Sequence, residues 1–309
     1  MLRHITFRQL KAFEAVASLG SFTAAAEALH LAQPTLSIQV RKLTDAVGAP
    51  LFEQVGKRIF VTAVGREVLK TTHQIFLSMG QLRMSLDNLQ GIIQGTLQIS
   101  AVTTAEYFAP RMLGEFRARY PGVSVSLQIG HRDRVIERMQ QNLDDLYILG
   151  HAPLELEVEP IVFMDNPLIV VAAANHPLAG QHHIPSTALA NETFIMREQG
   201  SDTRLAIERY LAAQNIQPRI GMELVGSNEA IKQAVIGGLG IAVMSRFALA
   251  YEIALGHVTI LDVEGFPINL DWQIMYPKGK QLSAVARRFC DFMVAECREI
   301  FSKDIRIPK

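Results

Sequence analysis

The sequence predicts a chain of mixed class, α followed by α/β: a small helical head, one long connecting helix and a two-lobed α/β body. Three observations predict it. Apolar residues recur at helical spacing through roughly the first 50 positions, and a regular four-three apolar spacing then runs from Val68 to Ile93. Beyond Gly95 the pattern becomes short apolar runs alternating with amphipathic helices, the grammar of β-α-β units.

The head opens with Thr6 and Gln9, which form a capping box before a helix with Phe7, Leu10, Phe13 and Ala17 inward. Ser21 caps a second helix whose inward positions are Phe22, Ala25, Ala26 and Leu29, and its alanines let another helix cross closely. His30-Leu31-Ala32 turns the chain, and Pro34 sits in the first turn of a third helix, where proline is tolerated. On that helix Leu36, Val40, Leu43 and Val47 share one face, while Pro34, Ser37, Ile38 and Arg41 share the other, with Gln33 at its leading end.

That division suits a helix that enters the major groove of DNA. Gln33 can pair with adenine, Ser37 with several base edges, Ile38 with a thymine methyl, and Arg41 with a phosphate or guanine. A plain alanine-rich helical hairpin has the same periodicity. Leu51 to Val61 then reads as a short hairpin with Lys57 and Arg58 at its tip, a wing placed for phosphate or minor-groove contact. The expected DNA-binding segment is 1–61, a winged helix-turn-helix.

Residues 62–93 are expected to form the connecting helix. Val68, Thr72, Ile75, Met79, Leu82, Leu86, Leu89 and Ile93 lie in a coiled-coil seam, apolar at seven of these eight positions. A second copy of the chain is the expected partner, and packing on the C-terminal body is the alternative.

Gly91 and Gly95 bracket a hinge, after which residues 94–309 form the body. Expected elements are a strand at 96–102, a helix at 107–120, a strand at 123–129, a helix at 132–141 and a strand at 146–150. A second unit follows, with strands at 168–174, 194–196, 219–224, 241–244, 258–261 and 271–276, helices at 203–213 and 228–236, and a final helix at 282–300. These predict a mostly parallel sheet and two lobes, lobe I at about 94–164 and 269–309 and lobe II at about 165–268.

Composition limits the function. Residues 1–90 hold ten Lys/Arg against six Asp/Glu, and residues 91–309 hold twenty against twenty-four, so the basic surplus falls where the DNA motif lies. Cys290 and Cys297 read as reduced thiols in one helix. The N-terminus lacks a signal-peptide pattern, and no stretch reaches the ~20 apolar residues of a membrane span, so a cytoplasmic location is expected. There is no G-x-S-x-G, H-E-x-x-H, P-loop or dinucleotide fingerprint, which points to binding rather than catalysis. His182-His183 lacks a third ligand nearby in sequence, so no metal is expected.

Three helix starts do suit a ligand: Thr103-Thr104-Ala105-Glu106, Gly200 to Arg204, and Gly226 to Glu229. Together they offer hydroxyls and free N–H groups for an anion, and Arg197 and Arg204 would add bidentate donors. The same residues also serve as simple caps, Thr103 and Glu106 as a capping box.

The run Phe7-Arg8-Gln9-Leu10, Phe13, Gly20-Ser21-Phe22, Ala25-Ala26, Leu29, Gln33-Pro34, Leu36-Ser37, Leu43, Gly48, Leu51-Phe52-Glu53, Thr62 and Gly65 resembles the N-terminal domain of LysR-type bacterial transcriptional regulators. The resemblance implies base reading by Gln33, Pro34, Ser37 and Arg41, with Lys57 and Arg58 on the wing. Ala32 departs from the Ser or Thr frequent there, which costs roughly 1 kcal/mol of capping. It also implies an effector domain akin to periplasmic solute-binding proteins, with a cleft between lobes.

Tyr107 to Arg111, Arg197 to Arg204, Gly226 to Val235 and Leu261 to Pro267 resemble the CbbR subgroup. Such regulators control carbon-fixation genes, including those of RuBisCO, and respond to phosphorylated metabolites or nicotinamide nucleotides. The pocket positions thereby implied are Thr103, Thr104, Gly150, Arg197, Thr203, Arg204 and Asn228. Glu106 stands where the subgroup often has Lys and His151 where it often has Arg, which lowers the positive charge there.

The expectation is therefore a regulator of duplex DNA, working as a homodimer through the connecting helix and as a homotetramer through effector-domain contacts. No cofactor is expected beyond a small anionic or phosphorylated effector, RNA polymerase is a further partner, and no membrane is involved. The alternatives are a regulator of another metabolic operon, a solute-binding transport protein, or a cytosolic small-molecule-binding α/β protein or enzyme with a helical dimerisation domain.

Overall fold

The computed structural model describes residues 5–56, 58–89 and 93–301. Two compact units emerge, Met1–Arg83 and Met84–Lys309.

The first unit holds α1 (Phe7–Leu19), α2 (Phe22–Ala28), α3 (Gln33–Val47), the hairpin β1 (Phe52–Val55) and β2 (Arg58–Val61), and the start of α4 (Ala63–Leu89). The Thr6–Gln9 capping box forms as expected, and Ser21 accepts from the Ala24 N–H at the start of α2. Ala12, Val16, Ala25, Ala26, Leu36 and Val40 make the core where the three helices cross. A second cluster joins Leu10, Phe13, Leu43 and Leu51 to Val68, Leu69, Ile75 and Phe76 of α4. Gly65 permits this approach, since a Cβ there would lie 2.2 Å from the Leu51 carbonyl oxygen.

That packing revises the seam. Thr72 is fully buried and Val68 and Ile75 half-buried within the head itself, so the head covers the first part of the stripe. Met79 and Leu82 are about half exposed (47% and 53%). The side chains of Leu86 and Leu89 lie outside the described residues, and Ile93 packs on the core of the second unit.

The second unit contains β3 (Gly95–Val102), a 3-10 turn (Thr103–Tyr107), α5 (Ala109–Arg119), β4 (Val123–Gly130), α6 (Arg132–Gln140), β5 (Leu146–Leu149) and β6 (Val158–Ala173). There follow β7 (Thr193–Arg197), α7 (Asp202–Ala213), β8 (Arg219–Leu224), α8 (Asn228–Ile236), β9 (Ala242–Ser245), α9 (Ala250–Ala254), β10 (Val258–Leu261), β11 (Ile268–Pro277) and α10 (Ala284–Ile300).

The sheet is mixed, not mostly parallel. Its order is β10-β6-β11-β5-β3-β4, with β9 also on β6. Only β3 pairs in parallel, with β4 and with β5; β6 and β11 run antiparallel to all their neighbours. The reason is β6, which begins ten residues before the expected strand and passes unbroken from one lobe to the other, with β11 returning beside it. Helical crossovers impose parallel pairing only within the lobes, including β7 with β8.

In lobe I, Phe108, Phe116, Phe289, Phe292 and Trp272 fill the space between the sheet and helices α5 and α10. In lobe II, β6 is covered on both faces: Leu168, Val170 and Ala172 join one cluster, Ile169 and Val171 another. Both cysteines are free and buried, and burial pushes their thiols up to about 12. Among the described residues no helix is long and apolar enough to cross a membrane.

Candidate functional sites

On α3 the residues that would read DNA form an open face. Gln33, Pro34 and Arg41 are exposed, Ser37 is half-buried, and Ile38 is 52% exposed, a high value for isoleucine on a packed helix. Gln33 donates to the Ser37 hydroxyl at 3.2 Å, so two polar side chains stand together at the leading end. Ala32 supplies no side-chain cap. Arg58 is exposed beside the hairpin turn, and Lys57 lies outside the described residues.

The second site is a narrow cleft, with a cavity of about 30 Å³, where strand ends from both lobes meet. Thr103 and Thr104 come from the end of β3, Gly150 from just past β5, Arg197 and Glu198 from the end of β7, and Ser201, Asp202 and Thr203 from the start of α7. Arg132, Asn166 and Trp272 complete the lining.

The lobes are joined through charge. Arg197 donates to both oxygens of Glu198 at 2.6 and 2.9 Å, to Asn228 Oδ1 at 2.8 Å and to the Thr103 hydroxyl at 3.3 Å. Asp202 accepts from the Gly150 N–H at 3.0 Å and pairs with Arg132 at 2.7 Å and His151 at 3.0 Å. Gly150 is needed there, because a Cβ would stand 2.8 Å from Asp202 Oδ2. Beside the cleft the Tyr107 hydroxyl, from lobe I, donates to Glu229 of lobe II at 2.8 Å.

Burial alone would raise the Glu198 carboxyl, but hydrogen bonds and charge from Arg197, with the Gly226 N–H, outweigh it and hold the group at about 2. Burial also lowers the His151 imidazole, against the pull of Asp202. Glu198 therefore stands as a full anion on the Arg197 fork. Two arginines and two carboxylates line the cleft, so its fixed charge is balanced.

Thr103, Thr104, Gly150, Arg197 and Thr203 thus converge on the cleft, and Asn228 stands behind it against Arg197. Arg204 does not face it. Its side chain is buried and turned toward Glu208 at 2.8 Å, Glu223 at 2.5 Å and the Arg197 carbonyl at 2.7 Å, because one residue along a helix rotates the side chain by roughly 100°. The Thr103–Glu106 capping box is absent too; Thr103 opens a 3-10 turn without a side-chain cap, the helix starts only at Ala109, and the Thr103 hydroxyl serves Arg197 instead. Sequence reasoning missed Arg132, Asn166, Glu198 and Trp272, and reached Ser201 and Asp202 only as part of the helix start at Gly200 to Arg204.

Comparison with known proteins decides the family. Residues 7–66 match the model of bacterial regulatory helix-turn-helix proteins of the lysR family, and residues 90–298 match the LysR substrate binding domain. The chain belongs to the LysR family. It is a LysR-type transcriptional regulator, and its head is the helix-turn-helix domain of that family.

Among its relatives is the HTH-type transcriptional activator CmpR of Synechocystis sp., 47% identical over 95% of this chain and 96% of that protein. The RuBisCO operon transcriptional regulator of Acidithiobacillus ferrooxidans is 45% identical over 95% of both chains. The regulatory domain of Synechocystis CcmR, solved in complex with 2-PG, matches at a TM-score of 0.63 and 48% identity, covering 65% of this LysR-type chain and 97% of that one.

Proposed function

We propose that this regulator activates carbon-fixation genes, those of RuBisCO among them, in response to a small anionic metabolite bound between its lobes. The observation that carries the reading is the cleft: hydroxyls, an arginine fork and helix starts from two lobes converge on one space. The CmpR and RuBisCO-operon relatives support the target, and the 2-PG complex of CcmR supports the ligand class.

Gln33, Pro34, Ser37, Ile38 and Arg41 read the major groove, and Arg58 with Lys57 approaches the neighbouring backbone or minor groove. Two copies join through the exposed part of α4 around Met79 and Leu82, so that paired heads meet paired half-sites, and effector-domain contacts build a tetramer. The ligand's anion competes with Glu198 for Arg197. An anion on Arg197 also competes with the Thr103 hydroxyl, the contact by which that fork reaches the other lobe, and the ligand acts as a switch because it favours one arrangement over the other. The protein works in the cytoplasm as a non-enzyme and needs no cofactor.

Transcript profiling of cells lacking the gene tests the target. Carbon-fixation transcripts are expected to lose their induction, and unchanged levels would overturn the assignment. Gel-shift titration of the chain's own upstream region tests the DNA reading separately.

A further inference from the structure

Most polar groups around the cleft already have partners. Arg197 is engaged by Glu198, Asn228 and Thr103, Arg132 by Asp202, and the Gly150 N–H by Asp202. Trp272 differs. The residue is 1% exposed, lines the cleft, and its Nε1–H has no acceptor among the described residues.

The position does not need an indole for packing alone. Its ring lies 4.9 Å from that of Phe108 in a cluster rich in phenylalanine, where another phenylalanine would leave no orphaned donor. A buried N–H without an acceptor is unfavourable, so its place on the wall of a ligand cleft calls for an explanation. β11 also shifts register against β6 between Trp272 and Gln273, the kind of local irregularity that re-aims a side chain.

We propose that the Trp272 indole N–H is a ligand-binding donor, which takes an oxygen at the far end of a small anionic ligand whose near end binds Arg197. This rests on the reading of the cleft as the effector site. A neutral donor in this place sets specificity. It favours molecules that carry a second acceptor, a carboxylate or hydroxyl, beyond the anionic group, over a lone oxyanion or an apolar tail.

The probe is 2-phosphoglycolate, which carries a phosphate and a carboxylate on a single carbon link, with orthophosphate as the short comparison. Calorimetric titration of the full chain is expected to show Trp272→Phe binding 2-phosphoglycolate about tenfold more weakly than wild type, with orthophosphate affinity unaltered. Ligand-free Trp272→Phe should melt no lower than wild type apart from the small cost of a smaller ring. A second readout needs no variant: Trp272 is the chain's sole tryptophan, so its single indole ¹H–¹⁵N resonance should move downfield on saturation.

Equal affinity in Trp272→Phe, or an indole resonance that does not move while Arg197→Lys abolishes binding, would overturn the assignment and leave the effector reading intact. Absence of 2-phosphoglycolate binding to wild type would overturn both.

Discussion

Replacing Gly150 by alanine gives the sharpest test of how the lobes are tied. The added Cβ would stand 2.8 Å from Asp202 Oδ2 and 3.4 Å from the Asp202 Cβ and Cγ, inside normal contact. Asp202 must then move, losing the 3.0 Å bond from the Gly150 N–H and straining its 2.7 Å pair with Arg132. A charge-assisted bond to a buried carboxylate is worth ~1.5–3 kcal/mol and overpacking adds a similar order, so the net cost should be about 2–4 kcal/mol. For a unit of this size that is about 5–10 °C in melting temperature.

The assay is denaturant unfolding of the full chain followed by the fluorescence of Trp272, which reports only on the effector unit. The control is the same substitution in an Asp202→Ala background, where the obstructing carboxylate is gone. The cost of Gly150→Ala should fall to near zero there. An equal cost in both backgrounds would refute the reasoning, since the damage would then not arise from Asp202.

Three further outcomes are expected. Glu198→Gln removes the internal competitor for Arg197 and should tighten binding of an anionic ligand about fivefold; because Glu198 titrates at about 2, far below the ordinary carboxylate value, its stabilising effect is present above pH ~4.5 and is lost as the pH falls toward 2, so melting temperatures of wild type and variant should converge in acid. Ser37→Ala should weaken operator binding and blur base preference, whereas Arg58→Ala should weaken all sequences evenly and flatten the salt slope by about one unit, both read by fluorescence anisotropy. Met79→Glu with Leu82→Glu places charge on the exposed part of α4 and should raise the dimer dissociation constant at least about tenfold in sedimentation equilibrium; unchanged association would move the interface elsewhere.

The head was legible because its signals are local. Leu36, Val40 and Leu43 are buried and Ile38 is exposed, as a 3.6-residue period requires. The cleft was half legible: hydroxyls and glycines at strand-to-helix junctions mark Thr103, Gly150 and Thr203, but Arg132 and Asp202 lie 70 positions apart and only the folded sheet brings them together. Arg204 carried its own warning in Glu208, four residues on, an i,i+4 partner that draws the guanidinium along the helix and away from the cleft.

The long strand β6 was obscured by Pro160, which usually argues against a strand. It is tolerated because β9 and β10 pair only with residues 168–173, so the first half of β6 is an edge on that side and needs no donor there. The seam on α4 was over-read for a different reason. A four-three apolar spacing says that a stripe is covered but not by what, and α1 and the hairpin of the same head cover its first turns.

The most direct measurement of the central claim is a footprint on the chain's own upstream DNA with and without 2-phosphoglycolate. Two half-sites are expected to be protected at physiological salt, their extent or spacing changing on ligand addition, with the change lost in Arg197→Lys while protection itself remains. Protection that ignores sequence, or a pattern indifferent to the ligand in both proteins, would contradict it.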